Sequence, residues 1–308
     1  MKARDILEML LLAAIWGASF LFIRMAAPVV GSLAVAALRV TGAALLLLPV
    51  LLLRGDLVRL RPLLPALLVS ALLSYVLPFI GLSQAARTLP AGLMSIMNAT
   101  TPLWGALVGW WWAQERLSAG RLLGLAIGVG GVALLAADRS QISSNAAWQA
   151  VALCLSSTLM YALSVHQAKR YLSSLSPMSV SASSLGCAAL MLAVPAWWVG
   201  PQPVQGPALN WDQVPVAAWG AALGLAVFCT ALAYWLFYRL IGRVGPTRAL
   251  TVTFLVPVFG MLWGSLFLSE RVSASMMAST LVIVLGTLLS SGAWTPFARR
   301  ADKKAPAA

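Results

Sequence analysis

One arginine lies inside an apolar run. SLAVAALRVTGAALLLLPVLLL sets Arg39 several residues from either end of a stretch with no other charge. A cation there is expensive unless it has a task or a partner. Its planar guanidinium can hold a carboxylate through two parallel hydrogen bonds, so one candidate task is gripping the acid group of a small molecule. The structural alternative is snorkelling to headgroups or fixing a helix terminus.

A second kind of chemistry comes from the backbone. Pro102 and Pro257 fall near the middle of long apolar runs. A proline there removes one donor and frees the carbonyl four residues back, those of Asn98 and Thr253. Asn98, Thr101 and Thr253 add side-chain polarity at the same depth, and Pro78 frees the carbonyl of Ser74. Polar backbone inside a membrane is tolerated only where protein or a wet cavity satisfies it. These three prolines are therefore candidate hinges beside a cavity, or kinks repaired by nearby hydroxyls. Trp16, Tyr75, Tyr161, Tyr234 and Trp235 carry an indole or hydroxyl donor that favours an interior position. Trp16, Tyr75, Tyr161 and Trp235 join Arg39, Asn98, Thr101 and Thr253 as candidate substrate contacts.

The pairs Glu115-Arg116 and Glu270-Arg271 close two of these runs, with Ser118 and Ser273 placed to cap the helices that follow. They read as gate latches or as charged turns that hold hairpin geometry. His166, beside Lys169 and Arg170, reads as an interfacial residue rather than a proton carrier. No carboxylate falls at mid-depth of an apolar run; even Glu8 stands near the start of one. No phosphate loop, zinc motif or nucleophile-base pair is present. No catalytic residues, metal site or cofactor are expected, and Cys154, Cys187 and Cys229 match no metal spacing.

These residues need elements to position them. The chain of 308 residues is 61% hydrophobic and 9% charged, too little polar surface to cover a water-soluble globule. Apolar runs of bilayer-crossing length recur throughout. They predict spans over 6–24, 33–53, 63–86, 90–112, 119–137, 147–168, 178–199, 214–238, 246–268 and 273–292. With a cytoplasmic N-terminus, sixteen of the Lys and Arg residues fall on the inner side. Arg24, Arg87, Arg139 and Arg271 fall outside. The net charge of +13 thus expresses topology and attraction to anionic lipid, not nucleic-acid binding. Both termini are expected in the cytoplasm. Tryptophans such as Trp110, Trp148, Trp197 and Trp198 read as interfacial anchors.

The apolar pattern repeats. Shifted by 155, Pro102, Gly105, Gly109, Glu115, Arg116 and Ser118 meet Pro257, Gly260, Gly264, Glu270, Arg271 and Ser273, and Gly131 meets Gly286. At a shift of 145, Trp16 and Arg24 meet Tyr161 and Lys169, while Arg39 meets Ser184 and so has no twin. The small-xxx-small glycine pairs suit close helix packing. A five-helix unit duplicated in this way enters the membrane from opposite sides, so 6–137 and 147–292 form two inverted repeats, followed by a basic cytoplasmic tail over 293–308. Inverted repeats are a recurrent way to build two openings to one central site.

The sequence resembles the EamA-type members of the drug/metabolite transporter superfamily. The residues that carry the resemblance are Trp16-Gly17 with Arg24, Leu38-Arg39, Pro90-Ala91-Gly92, and the duplicated proline, Glu-Arg and glycine pattern. It implies an all-α integral membrane protein that exports amino acids or related metabolites. The expectation is therefore an inner-membrane carrier, a monomer or homodimer in the lipid bilayer. Its small-molecule substrate would be an amino acid or related zwitterion, moved outward by alternating access. The alternatives are efflux of apolar or aromatic toxic compounds and a non-transporting membrane scaffold.

Overall fold

A computed structural model describes residues 2–53, 60–112, 114, 115, 117–138, 142, 144–207 and 209–291. Among them every regular element is helical. The first half of the chain contains α1 (Ala3–Val30), α2 (Ser32–Leu53), α3 (Arg61–Ala85), α4 (Ala91–Asn98), α5 (Thr101–Trp111) and α6 (Ala119–Ala136). The second contains α7 (Asn145–Tyr171), α8 (Pro177–Val199), α9 (Val216–Val244), α10 (Pro246–Leu250), α11 (Val256–Leu268) and α12 (Ala274–Ser290), with a 3-10 turn over Thr251–Phe254 between α10 and α11.

Among the described residues eight helical runs are long and apolar enough to cross a bilayer, and α12 is a shorter apolar helix of 17 residues. The expected fourth span is divided into α4 and α5. The reason is local: Pro102 sits in the first turn of α5 and Pro257 in the first turn of α11, where a missing N–H costs nothing. The prolines therefore start second half-helices instead of kinking continuous ones. The basic tail over 293–308 and Arg116 lie outside the described residues.

α1 also runs past its expected end, to Val30, and stops at Gly31. That residue has φ +85° and ψ 162°, a region open essentially to glycine alone. The reversal lets α2 start at once.

Two large apolar clusters, with two smaller ones around Leu12 and Leu67, make the interior of the described residues. One joins α1, the end of α3, α4, α7 and the start of α9; the other joins α2, the middle of α3 and α8. Small residues set the closest seams, as expected where lipid gives helices no hydrophobic reason to associate. The closest approach of backbone to backbone is α6 against α12, where a Cβ on Gly286 would stand 2.6 Å from the Gly128 Cα.

α3 and α9 each contain a π-helical stretch, Leu72–Val76 and Val227–Leu232. The two starts differ by 155, the repeat shift, so the same irregularity recurs in both copies. Such stretches frequently mark functional sites.

The ends of the bundle are tied by charge. At the N-terminal end, Arg239 Nε donates to Glu8 Oε1 at 3.0 Å and Arg243 Nε to Asp5 Oδ1 at 3.0 Å; Arg243 also bonds Glu8. Glu8, buried at the start of α1, is thus neutralised by α9. At the opposite end Asp138 accepts from Ser273 at 3.1 Å.

Candidate substrate site and gates

α2 carries Arg39 into the interior, where it is 7% exposed. Its Nε donates to Thr230 Oγ1 at 2.9 Å, and the Thr230 hydroxyl donates on to the Leu225 carbonyl at 2.8 Å. Thr230 belongs to the π-helical stretch of α9, where the wider turn lets a hydroxyl reach the carbonyl five residues back. The guanidinium carbon lies 3.8 Å from the centroid of the Phe79 ring, a cation–π contact. Tyr161 and Tyr234 pack against the apolar cluster that holds Tyr75 and Phe79. Among the described residues no carboxylate stands within ion-pair distance of Arg39.

From Phe79 a row of rings crosses the bundle. Tyr75 meets Phe79 with centroids 5.7 Å apart and Tyr234 at 6.2 Å; Tyr234 stacks on Tyr238 at 6.0 Å; Phe237 joins Tyr238 at 5.7 Å and Trp16 at 5.1 Å. The row links α3, α9 and α1. Ser181 of α8 hydrogen-bonds the Tyr238 hydroxyl.

The structure thus gathers Arg39, Tyr75 and Tyr161, with Trp16 at the far end of the row. It does not bring Trp235 to them. Trp235 is 46% exposed and lies under Arg239, 4.5 Å from ring centroid to guanidinium carbon. No hydrogen bond links Asn98, Thr101 or Thr253 to Arg39 among the described residues. The Thr101 hydroxyl donates to the Asn98 carbonyl at 2.8 Å, so the acceptor that Pro102 frees is taken up locally. Thr253 donates to the Leu250 carbonyl at 2.8 Å. Beside Pro78, the Ser157 hydroxyl of α7 donates to the Leu153 carbonyl at 2.7 Å and stands 3.4 Å from the Pro78 carbonyl, and the hydroxyls of Ser74 and Ser164 are hydrogen-bonded to each other.

The two glutamates occupy opposite ends. Glu270 accepts from the Ala91 N–H at 2.9 and 3.0 Å and from Gly92 at 3.5 Å, and Arg24 Nε stands 3.7 Å away. Arg24 also donates to the Ala86 carbonyl at 2.8 Å. α4 and α5 then run away from this end, so Glu115 stands at the other, 3.8 Å from Lys169 and 3.7 Å from Arg121. Arg271 is exposed. In both copies the glutamate N–H donates to the equivalent glycine carbonyl, Gly109 at 3.0 Å and Gly264 at 3.1 Å.

The model of the EamA-like transporter family matches this chain over residues 4–137 and 148–292. The chain belongs to the EamA-like transporter family. Among its relatives, an uncharacterized transporter of Bacillus subtilis (strain 168), YvbV, is 28% identical over 94% of this chain and 92% of its own. The uncharacterized inner membrane transporter YedA of Escherichia coli (strain K12) is 28% identical over 89% of this chain and 86% of its own. A solved crystal structure shares the fold, with a TM-score of 0.62 at 17% identity over 95% of this chain and 98% of that one. This EamA-like chain is accordingly a multi-pass membrane protein of transporter type.

Phe79, Thr230 and Tyr238 stand out only in the structure. Thr230 had a usable signal, since the 155 shift sets it opposite Tyr75. Arg24 with Glu270, and Lys169 with Glu115, had a clearer one: both charges recur in both copies at constant offsets.

Proposed function

We propose that this protein is an inner-membrane carrier that moves a small zwitterionic metabolite, an amino acid or a close relative, out of the cytoplasm by alternating access. The observation that carries this reading is the buried Arg39, which among the described residues has no carboxylate counter-ion. An uncompensated cation there costs on the order of several kcal/mol, which the carboxylate of a ligand would offset through two charge-assisted bonds. Phe79, Tyr75 and Tyr234 supply an aromatic wall beside it, whose faces attract a ligand ammonium group. Asn98, Thr101 and Thr253 remain candidates for contacts at another stage of the cycle, with Pro78, Pro102 and Pro257 as hinges. The test is exchange of radiolabelled amino acids across proteoliposomes. Uptake driven by an opposing gradient of unlabelled substrate is the expected result, and no exchange with any zwitterion would remove the reading.

The row of rings favours a second reading, efflux of aromatic or apolar compounds. Uncharged aromatic compounds competing with zwitterions for exchange, with losses equal in Arg39 variants, would favour it.

Orientation rests on the positive-inside asymmetry. Reporter fusions at residue 308 and within 201–212 are expected to report opposite sides, with residue 308 cytoplasmic. The same side for both would overturn the two-repeat inverted arrangement.

A further inference from the structure

The two copies share a sequence pattern but stand in different environments. Ala91 to Met97, the first seven residues of α4, are all buried, and α4 packs along α11. At the 155 shift α4 corresponds to α10 and the turn after it. There Pro246 and Arg248 are exposed, Leu250 is 52% exposed, and among the described residues no comparable seam joins α10 to α5. The glutamates follow the same division. The Glu270 side chain is 15% exposed and spans two backbone donors and Arg24; that of Glu115 is 43% exposed and, among the described residues, pairs with two long basic side chains, Arg121 and Lys169. The hairpins around them are alike, since both close on the equivalent glycine carbonyl. What differs is the reach of the carboxylate across the bundle.

One residue explains why the ends are not interchangeable. The N–H of Ala91 donates to both oxygens of Glu270. Its equivalent is Pro246, which has no N–H. Glu115 cannot make the same contact at its own end.

We infer that Glu270 is the latch of the outer gate, and that its missing counterpart at Pro246 makes the ligand-free protein rest closed outside and open toward the cytoplasm. This rests on the carrier reading above. Outward opening then requires parting Glu270 from Ala91, Gly92 and Arg24. Arg24 keeps its bond to Ala86, so α1 and α3 stay joined while α11 leaves. Charge-assisted bonds from backbone N–H groups to a carboxylate are strong, and they are made here between the two copies.

Accessibility of introduced thiols tests this without any substrate. In full-length chain whose Cys154, Cys187 and Cys229 are replaced by serine, Ser95→Cys reports on the closed end and Leu250→Cys on the open one. Sided membrane vesicles are treated with a membrane-impermeant maleimide. Otherwise unaltered protein should label at position 250 from the cytoplasmic face and stay silent at position 95. Adding Glu270→Gln should raise labelling at position 95 about tenfold, the lower range for hydrogen bonds to a charged group, and reduce it at position 250. Glu115→Gln should change neither, and Pro246→Ala, which restores a donor, should reduce labelling at position 250. Should Glu270→Gln fail to reach the membrane, Glu270→Asp, shorter by one methylene, serves the same readout. Position 95 silent in the Glu270 variant, with position 250 still reactive, would reduce Glu270 to a hairpin staple and overturn the inference. Label exchange without zwitterion transport would remove the substrate reading and leave the latch; transport without label exchange would do the reverse.

Discussion

Arg39→Lys is expected to weaken binding of a carboxylate ligand about tenfold or more while leaving the matching amide within about twofold, an energy in the range of one charge-assisted hydrogen bond. The substitution keeps a positive charge on α2. It loses the planar fork that meets both oxygens of a carboxylate, the stack on Phe79 and the Nε bond to Thr230. The amide ligand presents no anion, so it does not register the missing fork. Arg39→Met separates this from a structural role. A buried cation with no carboxylate partner among the described residues is costly to the ligand-free protein, so removing it should not lower the thermal unfolding temperature, while carboxylate binding is lost. Thr230 still has the Leu225 carbonyl to bond. Binding of an amino acid and its amide, measured with unfolding temperatures for both variants, decides the matter. Equal losses for both ligands, together with a lower unfolding temperature in Arg39→Met, would make Arg39 an anchor.

The second large effect is steric. Gly286→Leu should abolish recovery of folded protein, whereas Gly130→Leu should be tolerated. A Cβ on Gly286 would stand 2.6 Å from the Gly128 Cα and 2.7 Å from the Gly124 carbonyl oxygen. Both obstacles are backbone, so no rotamer change relieves them and α6 must move off α12. Overpacking in a core costs about 1–3 kcal/mol, occasionally more, and a backbone collision belongs above that range. Gly130 is exposed, with nothing within 4 Å of an added Cβ. Size-exclusion profiles of the two variants in detergent provide the measurement. Survival of Gly286→Leu as a monodisperse species would show that this seam is not needed for the fold.

Much of the architecture was legible because membrane helices advertise themselves by length and apolarity, and because the chain states its pattern twice. The serine caps and the glutamate hairpins recur at the 155 shift; the glycine packing does not, since an added Cβ meets nothing within 4 Å at Gly105 but runs into Ser95 at its equivalent Gly260. Span boundaries were less legible. α1 runs to Val30 because hydropathy alone does not mark where a helix turns; Gly31 does. The division of the fourth apolar run was hidden for a related reason. Proline in such a run signals a missing donor, but whether the helix bends around it or ends just before it depends on hydroxyls such as Thr101 that take up the freed carbonyl. Within the site, the value of Arg39 could be read from its cost. Its neighbours could not, since Phe79 and Thr230 are ordinary residues for a membrane helix. Trp235 shows the converse limit: ring type carries no information about which way a helix face points.

The paired π-helical stretches bear on how α3 and α9 should be numbered into faces. Each adds an extra residue to a turn, and one residue of an α-helix corresponds to a rotation of about 100°. A helical wheel drawn straight through Leu72–Val76 or Val227–Leu232 therefore slips out of phase partway along. Residues before and after the stretch belong to different angular frames. A scanning mutagenesis of α9 with an unbroken 3.6-residue period would misplace one half of its stripe, with Leu225 in one frame and Tyr234 and Tyr238 in the other. Because the slip occurs at the same point of both copies, aligning the copies hides it, and only the wheel reveals it.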